Sequence, residues 1–198
     1  KAGKSALVVS PTHQQSEQVT QSIREKLRAS KLLGKKEIAA TRLMNLNLTE
    51  AEKSDWRNLK KGMRVQFNQN SPGLKRGSMW TIESSSESGV RIRDENDVTA
   101  LLPLHRCTDF ELYKQSEIPL SKGDLVRLTR NGFDRQKKRL NNGELLTVAS
   151  VSKKGELVLQ NPISHAKFHL DKEYGHLAHA YCITSHASQG KTWLPAGI

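Results

Sequence analysis

Apolar and polar positions follow three rhythms along the 198 residues. The first begins with a short apolar run, Ala6-Leu7-Val8-Val9, which predicts a buried strand. Ser10-Pro11-Thr12 ends it, and Thr12 with Gln15 makes a capping-box pattern that opens a helix. Val19, Ile23 and Leu27 recur at helical spacing as its apolar stripe, and Gly34 is its expected stop. A short strand over 37–41 follows. A second capping box, Thr49 with Glu52, opens a short helix reaching Trp56.

The second rhythm starts after Trp56. Short alternating runs broken by Gly and Ser predict strands and tight turns. This region repeats itself. Lys61-Gly62-Met-Arg-Val65-Gln-Phe67 matches Lys122-Gly123-Asp-Leu-Val126-Arg-Leu128. Arg76-Gly77-Ser-Met-Trp80-Thr81-Ile82 matches Asn142-Gly143-Glu-Leu-Leu146-Thr147-Val148. Gly89-Val90-Arg-Ile92 matches Gly155-Glu-Leu157-Val158-Leu159. The offsets are 61, 66 and 66, so the second copy carries a longer first loop. Each copy fits four or five short strands of a small barrel or curled sheet. Pro103 and Pro119 bracket a link between the copies. The third rhythm is an apolar run, Leu177 to Ile183, which predicts one buried strand emptying into the polar loop Thr184-Ser185-His186.

Charge is more informative about partners than hydropathy is. The net charge is +12, which favours a polyanionic partner, nucleic acid first. Residues 121–154 hold nine Lys/Arg against three Asp/Glu. Within them Arg130, Phe133, Arg135, Lys137, Lys138 and Arg139 form a basic loop with one aromatic. That loop could follow a phosphate backbone and stack a base, or be a mobile solvated loop. The charges of the first helix read mostly as a solvated face. No run approaches the roughly 18 apolar residues of a membrane helix, and no secretory leader pattern is visible. Cys107 and Cys182 offer no disulfide framework and fit a reducing cytoplasm.

Two phosphate-loop decoys fail. Ala2-Gly3-Lys4-Ser5 precedes a strand instead of following one, and Gly190-Lys191-Thr192 lacks the first glycine, since Ser185 stands there. His165, His169, His176, His179, Cys182 and His186 invite a metal reading. Two of them, His176 and His186, would sit at opposite ends of one strand, too far apart for one ion at about 3.3 Å per residue. No metal site and no catalytic constellation is expected.

The pattern Tyr181-x-x-Thr184-Ser185-His186-x-Ser188-Gln189-Gly190-x-Thr192 resembles motif V of RecD-like superfamily-one DNA helicases, most closely the helicase half of MobF-type conjugative relaxases. Ala187 stands where many members carry Lys. The Ser-Pro-Thr-His segment before the first helix looks like their motif IV region. Gly123-Asp124-x-Val126, Arg130-Asn131, the basic loop and Asn142-Gly143 look like their subdomain 2B, a Src-homology-type (SH3-like) β-barrel.

The resemblance implies an α/β plus all-β chain, a partial RecA-like motor domain 2A split by two inserted SH3-like modules. Residues 1–58 and 172–198 would be domain 2A, 59–118 the 2B-like module with its link, and 119–171 the 2B module. It implies DNA contacts at Thr12, His13, Thr184, His186 and the basic loop, and nucleotide coupling at Gln189 and Gly190. It further implies a bacterial, cytoplasmic full-length protein that uses ATP and Mg²⁺ as a 5′-to-3′ helicase. Single-stranded DNA, the remaining motor domain 1A and a type IV secretion coupling protein are the implied partners. No cofactor and no catalytic residue is expected within this stretch itself. Two other readings stand beside it: a non-catalytic tandem-barrel module that binds nucleic acid or a secretion partner, and a stand-alone RNA- or DNA-binding protein.

Overall fold

The computed structural model describes residues 8–10, 13–152 and 155–184. They are mostly antiparallel β-structure with few helices. No described helix is long and apolar enough to cross a membrane. The chain divides into two compact units, one of Thr41–Glu117 and one of the residues up to Ala40 together with those from Ile118 on.

Strand β1 (Val8–Ser10) leads to helix α1 (His13–Ala29). The helix ends five residues before Gly34, the expected stop. Lys31 instead takes the left-handed position, φ 59°, and the Leu32 N–H reaches back to the Leu27 carbonyl, a Schellman closure. Gly34 serves close approach. Its N–H donates to the Lys122 carbonyl at 2.7 Å, and a Cβ there would lie 3.1 Å from that of Lys122. β2 (Glu37–Asn45) is longer than expected and carries the chain into the other unit. There the Thr49 capping box forms as the pattern predicts and opens α2 (Glu50–Ser54).

In the Thr41–Glu117 unit, β3 (Arg64–Phe67), β4 (Met79–Ser86), β5 (Gly89–Arg93), β6 (Thr99–Leu101) and β7 (Phe110–Ser121) join β2 in the order β2-β7-β3-β4-β5-β6. The segment after Pro103, expected to be a link, is a 3-10 turn and then β7, the strand that pairs back onto β3. Alternate residues close a core of Val65, Phe67, Ile82, Val90, Ile92, Phe110 and Leu112, all 1% exposed or less. Burying each such side chain contributes about 1.5–3 kcal/mol.

In the other unit, β8 (Leu125–Leu128), β11 (Leu145–Val151), β12 (Glu156–Gln160), β13 (Lys167–Asp171) and β14 (Leu177–His179) are ordered β13-β12-β11-β8-β14. Between β8 and β11 lies a two-stranded hairpin, β9 (Gly132–Phe133) with β10 (Arg139–Leu140).

The two five-stranded arrangements repeat bond by bond. Gly62 N–H donates to Ile82 O, and Gly123 N–H to Val148 O. Gly77 N–H donates to Phe67 O, and Gly143 N–H to Leu128 O. Val65 faces Trp80 as Val126 faces Leu146. A register shift interrupts β4 at Ile82/Ser84 and β11 at Val148/Ser150. Gly62 and Gly123 sit at φ 87° and 94°, and Gly77 and Gly143 at 84° and 85°. The repeated glycines mark the turns that a side chain would strain.

One match changes. Ile92 pairs with Ile82 and Leu159 with Val148, an offset of 67 for the third strand, not 66. Aligning on Gly89 and Gly155 slips the strand by one residue and would turn its apolar face outward.

The run from Leu177 to Ile183 is not one strand. β14 pairs antiparallel with β8, the chain bends at Ala180-Tyr181, and β15 (Cys182–Thr184) pairs parallel with β1. The run serves two sheets.

Candidate nucleic-acid interface

The parallel pair sets Val8 opposite Cys182, Val9 opposite Ile183 and Ser10 opposite Thr184. The carboxyl ends of β1 and β15 therefore lie side by side. Helix α1 begins at His13, and Ser16 Oγ donates to the Cys182 carbonyl at 3.3 Å. Thr184 ends β15, and its side chain, like that of His13, lies outside the described residues. So do Thr12, His186, Gln189 and Gly190 entirely.

What holds this edge to the β-module is not expected from the sequence. Helical spacing puts Arg24 among the solvated charges of α1, yet it is 2% exposed. Its Nε and Nη2 donate to the two carboxylate oxygens of Asp124, each at 2.9 Å, and Nη2 also reaches Glu37 at 2.9 Å. Asp124 is fully buried and further accepts the Ser121 N–H at 2.7 Å and the Tyr181 hydroxyl at 3.0 Å. The Tyr181 oxygen in turn accepts the Leu125 N–H. His179 Nε2 lies 2.9 Å from the Pro119 carbonyl.

Burial alone would lower the Arg24 pKa, but Asp124 and Glu37 outweigh it and hold the guanidinium above its ordinary value. Burial first, with the Asp124 charge, pushes the Tyr181 hydroxyl up, against a smaller opposing effect of the Leu125 N–H. A sequence signal exists. Position 124 is Asp where the other copy has Met63, a charge at a place the repeat fills with an apolar residue.

The basic loop is an ordered hairpin built on Asp134, which is 5% exposed. Its carboxylate accepts the N–H groups of Gln136 and Lys138 at 2.8 Å and of His169 at 3.0 Å. Burial would raise the Asp134 pKa, but those three N–H groups and the Lys138 charge hold it below the usual carboxylate value.

The expected contact residues then separate. Arg135 is paired with Asp171 at 3.3 Å and Glu156 at 3.7 Å, and Lys138 Nζ donates to the Lys167 carbonyl. Arg130 is half-buried near Tyr174 and His176. Phe133 is 68% exposed and stands opposite Arg139 in the hairpin register. Lys137 and Arg139 are exposed, and no carboxylate among the described residues pairs with either.

Tyr174 and His176 meet edge to face, ring centroids 5.7 Å apart. Burial lowers the His176 pKa to about 4, with Arg130 adding to it, and raises that of Tyr174 to about 12. Among the described residues no three His, Cys, Asp or Glu gather as a metal site. Distances reckoned along a single strand do not apply to His176 and His186, since the chain bends between β14 and β15.

No protein-family model matches the chain, and no curated protein is significantly similar to it.

Proposed function

We propose that this chain is a stretch of an ATP-dependent, 5′-to-3′ DNA helicase of the RecD-like kind, most like the helicase part of a MobF-type conjugative relaxase. In it the chain supplies single-stranded DNA contacts. The observation that carries the reading is the parallel pairing of β1 and β15. Ligands of parallel sheets bind outside the carboxyl ends of the strands. The Ser-Pro-Thr-His and Thr-Ser-His segments both start from that edge.

On this reading the parallel pair with α1 belongs to a split motor domain 2A. The antiparallel modules, each pairing its last strand back onto its first, are SH3-like barrels. ATP and Mg²⁺ are held with the rest of the full-length protein, and a type IV secretion coupling protein is met by the whole. The exposed Phe133 with its flanking cations supports a second reading, a non-catalytic nucleic-acid-binding tandem module, since that hairpin needs no motor to bind.

His186→Ala in the full-length protein separates the two. The expected result is near-normal melting and ATP affinity, with DNA-stimulated ATP hydrolysis and unwinding strongly reduced. Normal unwinding would sink the motor reading of this loop.

The salt dependence of single-stranded DNA binding checks the electrostatic part. Lys137→Ala with Arg139→Ala should reduce the slope of log affinity against log salt by about 1.4, roughly 0.7 for each phosphate no longer neutralised. Arg135→Ala should reduce it less, because Asp171 and Glu156 already engage that guanidinium. A slope untouched by the Lys137/Arg139 pair would place the effective charge elsewhere.

A further inference from the structure

Beside the basic hairpin lies a groove of about 410 Å³ whose lining is unlike a phosphate track. Phe133, Leu170 and Tyr174 make its apolar part, and Arg135, Asp171 and Glu173 its charged part. Asp134 also lines it, but that carboxylate is taken up by three backbone N–H groups. Asp171 is shared with Arg135 at 3.3 Å. Glu173 is the carboxylate left available. It is 65% exposed, and its ion pair is a long one, 3.6 Å, with the adjacent Lys172.

Carboxylates repel phosphate, so the backbone of a bound strand belongs outside this groove, with Lys137 and Arg139. What fits inside is a flat ring against Phe133 and Tyr174, since every base offers a π-face to an aromatic side chain. An ionised carboxylate accepts hydrogen bonds and donates none. The ring edge it selects must carry an N–H. Cytosine presents an N4 amine where thymine presents the O4 acceptor, which a carboxylate disfavours.

We propose that this groove is a nucleobase slot that selects bases bearing an exocyclic amine, cytosine over thymine, with Phe133 and Tyr174 stacking the ring and Glu173 accepting from the amine. It rests on the single-stranded DNA reading above and adds to it a base preference. Arg139, directly across the hairpin from Phe133, is placed to meet the phosphate beside the stacked base.

The test is fluorescence anisotropy of the 198-residue chain with labelled dodecamers of deoxycytidine and of thymidine. It is run at low salt and mildly alkaline pH, where cytosine is unprotonated. Wild type should bind the cytidine strand about five-fold or more tighter. Glu173→Gln should bring the ratio close to one, because an amide both donates and accepts. Phe133→Ala should weaken both strands by about five-fold or more. Thermal melting by circular dichroism accompanies each variant, and both positions are exposed, so unchanged melting is expected.

Equal wild-type affinity for the two strands overturns the slot and leaves the DNA reading standing. So does a preference that survives Glu173→Gln. Absence of binding at low salt overturns both. An arginine-rich peptide that binds with dependence on Phe133 and Glu173, without any cytidine preference, would assign the groove to a protein partner and overturn the proposal.

Discussion

Asp124→Ala is expected to cost about 3–5 kcal/mol of stability, the range for removing one partner of a buried ion pair. The carboxylate is fully buried and the Arg24 side chain is 3% exposed. Its loss leaves the guanidinium with Glu37 alone, and leaves the Ser121 N–H and the Tyr181 hydroxyl without their acceptor. A buried donor stranded in this way costs about 1–3 kcal/mol by itself.

The network also joins four segments: α1, the start of β2, the turn before β8, and the bend between β14 and β15. Local unfolding of that bend should therefore rise with the global loss. Urea unfolding followed by far-ultraviolet circular dichroism measures the cost. The double variant Arg24→Met/Asp124→Ala should lose less than the sum of the single losses, by about 0.5–3 kcal/mol of coupling. A single-variant cost below about 1 kcal/mol, or strict additivity, would show that the pair is dispensable.

Acid should weaken the fold through His176. The ring is 5% exposed, edge-on to Tyr174 and near Arg130. Burial holds its folded pKa at about 4 against 6.5 for the free group. Between those values the unfolded chain takes up a proton that the folded chain refuses. Stability from this group is therefore complete above about pH 6.5 and is lost as pH falls towards 4, on the order of 3 kcal/mol in all.

Tyr174, at about 12, stays neutral throughout that window. His176→Leu should flatten the stability profile between pH 6.5 and 4 relative to wild type. An NMR titration of the ring reads the folded pKa directly. A value near 6 or above would remove the basis of this prediction.

Much of the β-architecture is legible because it depends on local chemistry. Gly62 with Gly123, and Gly77 with Gly143, match as letters in a repeat. All four sit at positive φ, where a side chain is disfavoured, so turn geometry writes itself into the sequence. The Thr49 capping box forms because its two partners are three residues apart. The letters place the third strand of the repeat one residue off. Its glycines align at an offset of 66 while its ladder aligns at 67, the offset at which Val90 and Ile92 match Leu157 and Leu159, because the apolar face sets register and the turn glycine does not.

The candidate interface is legible in its residue types and less so in its wiring. The hairpin's cations are plain in the sequence. That Asp134 also takes the His169 N–H, and that Arg135 and Lys138 are engaged while Lys137 and Arg139 are not, depends on β12 and β13 lying alongside. Gly34 looks like a helix stop because glycine often is one. Its reason is Lys122, 88 positions away (122 − 34) in the sequence but 2.7 Å away through a backbone hydrogen bond.

Period, turn chemistry and composition are local, and they are enough to read two copies of a small antiparallel module, the positions of their turns, the first helix and the basic character of the long loop. Which sheet each end of the run from Leu177 to Ile183 joins is settled by packing between distant segments. An apolar run records that both faces are covered and not by what. Packing between distant segments likewise makes Arg24 an internal cation and Asp124 its partner, 100 residues apart. A charge looks alike in sequence whether water or a buried carboxylate solvates it. The difference is the position of a second segment, which no local pattern carries.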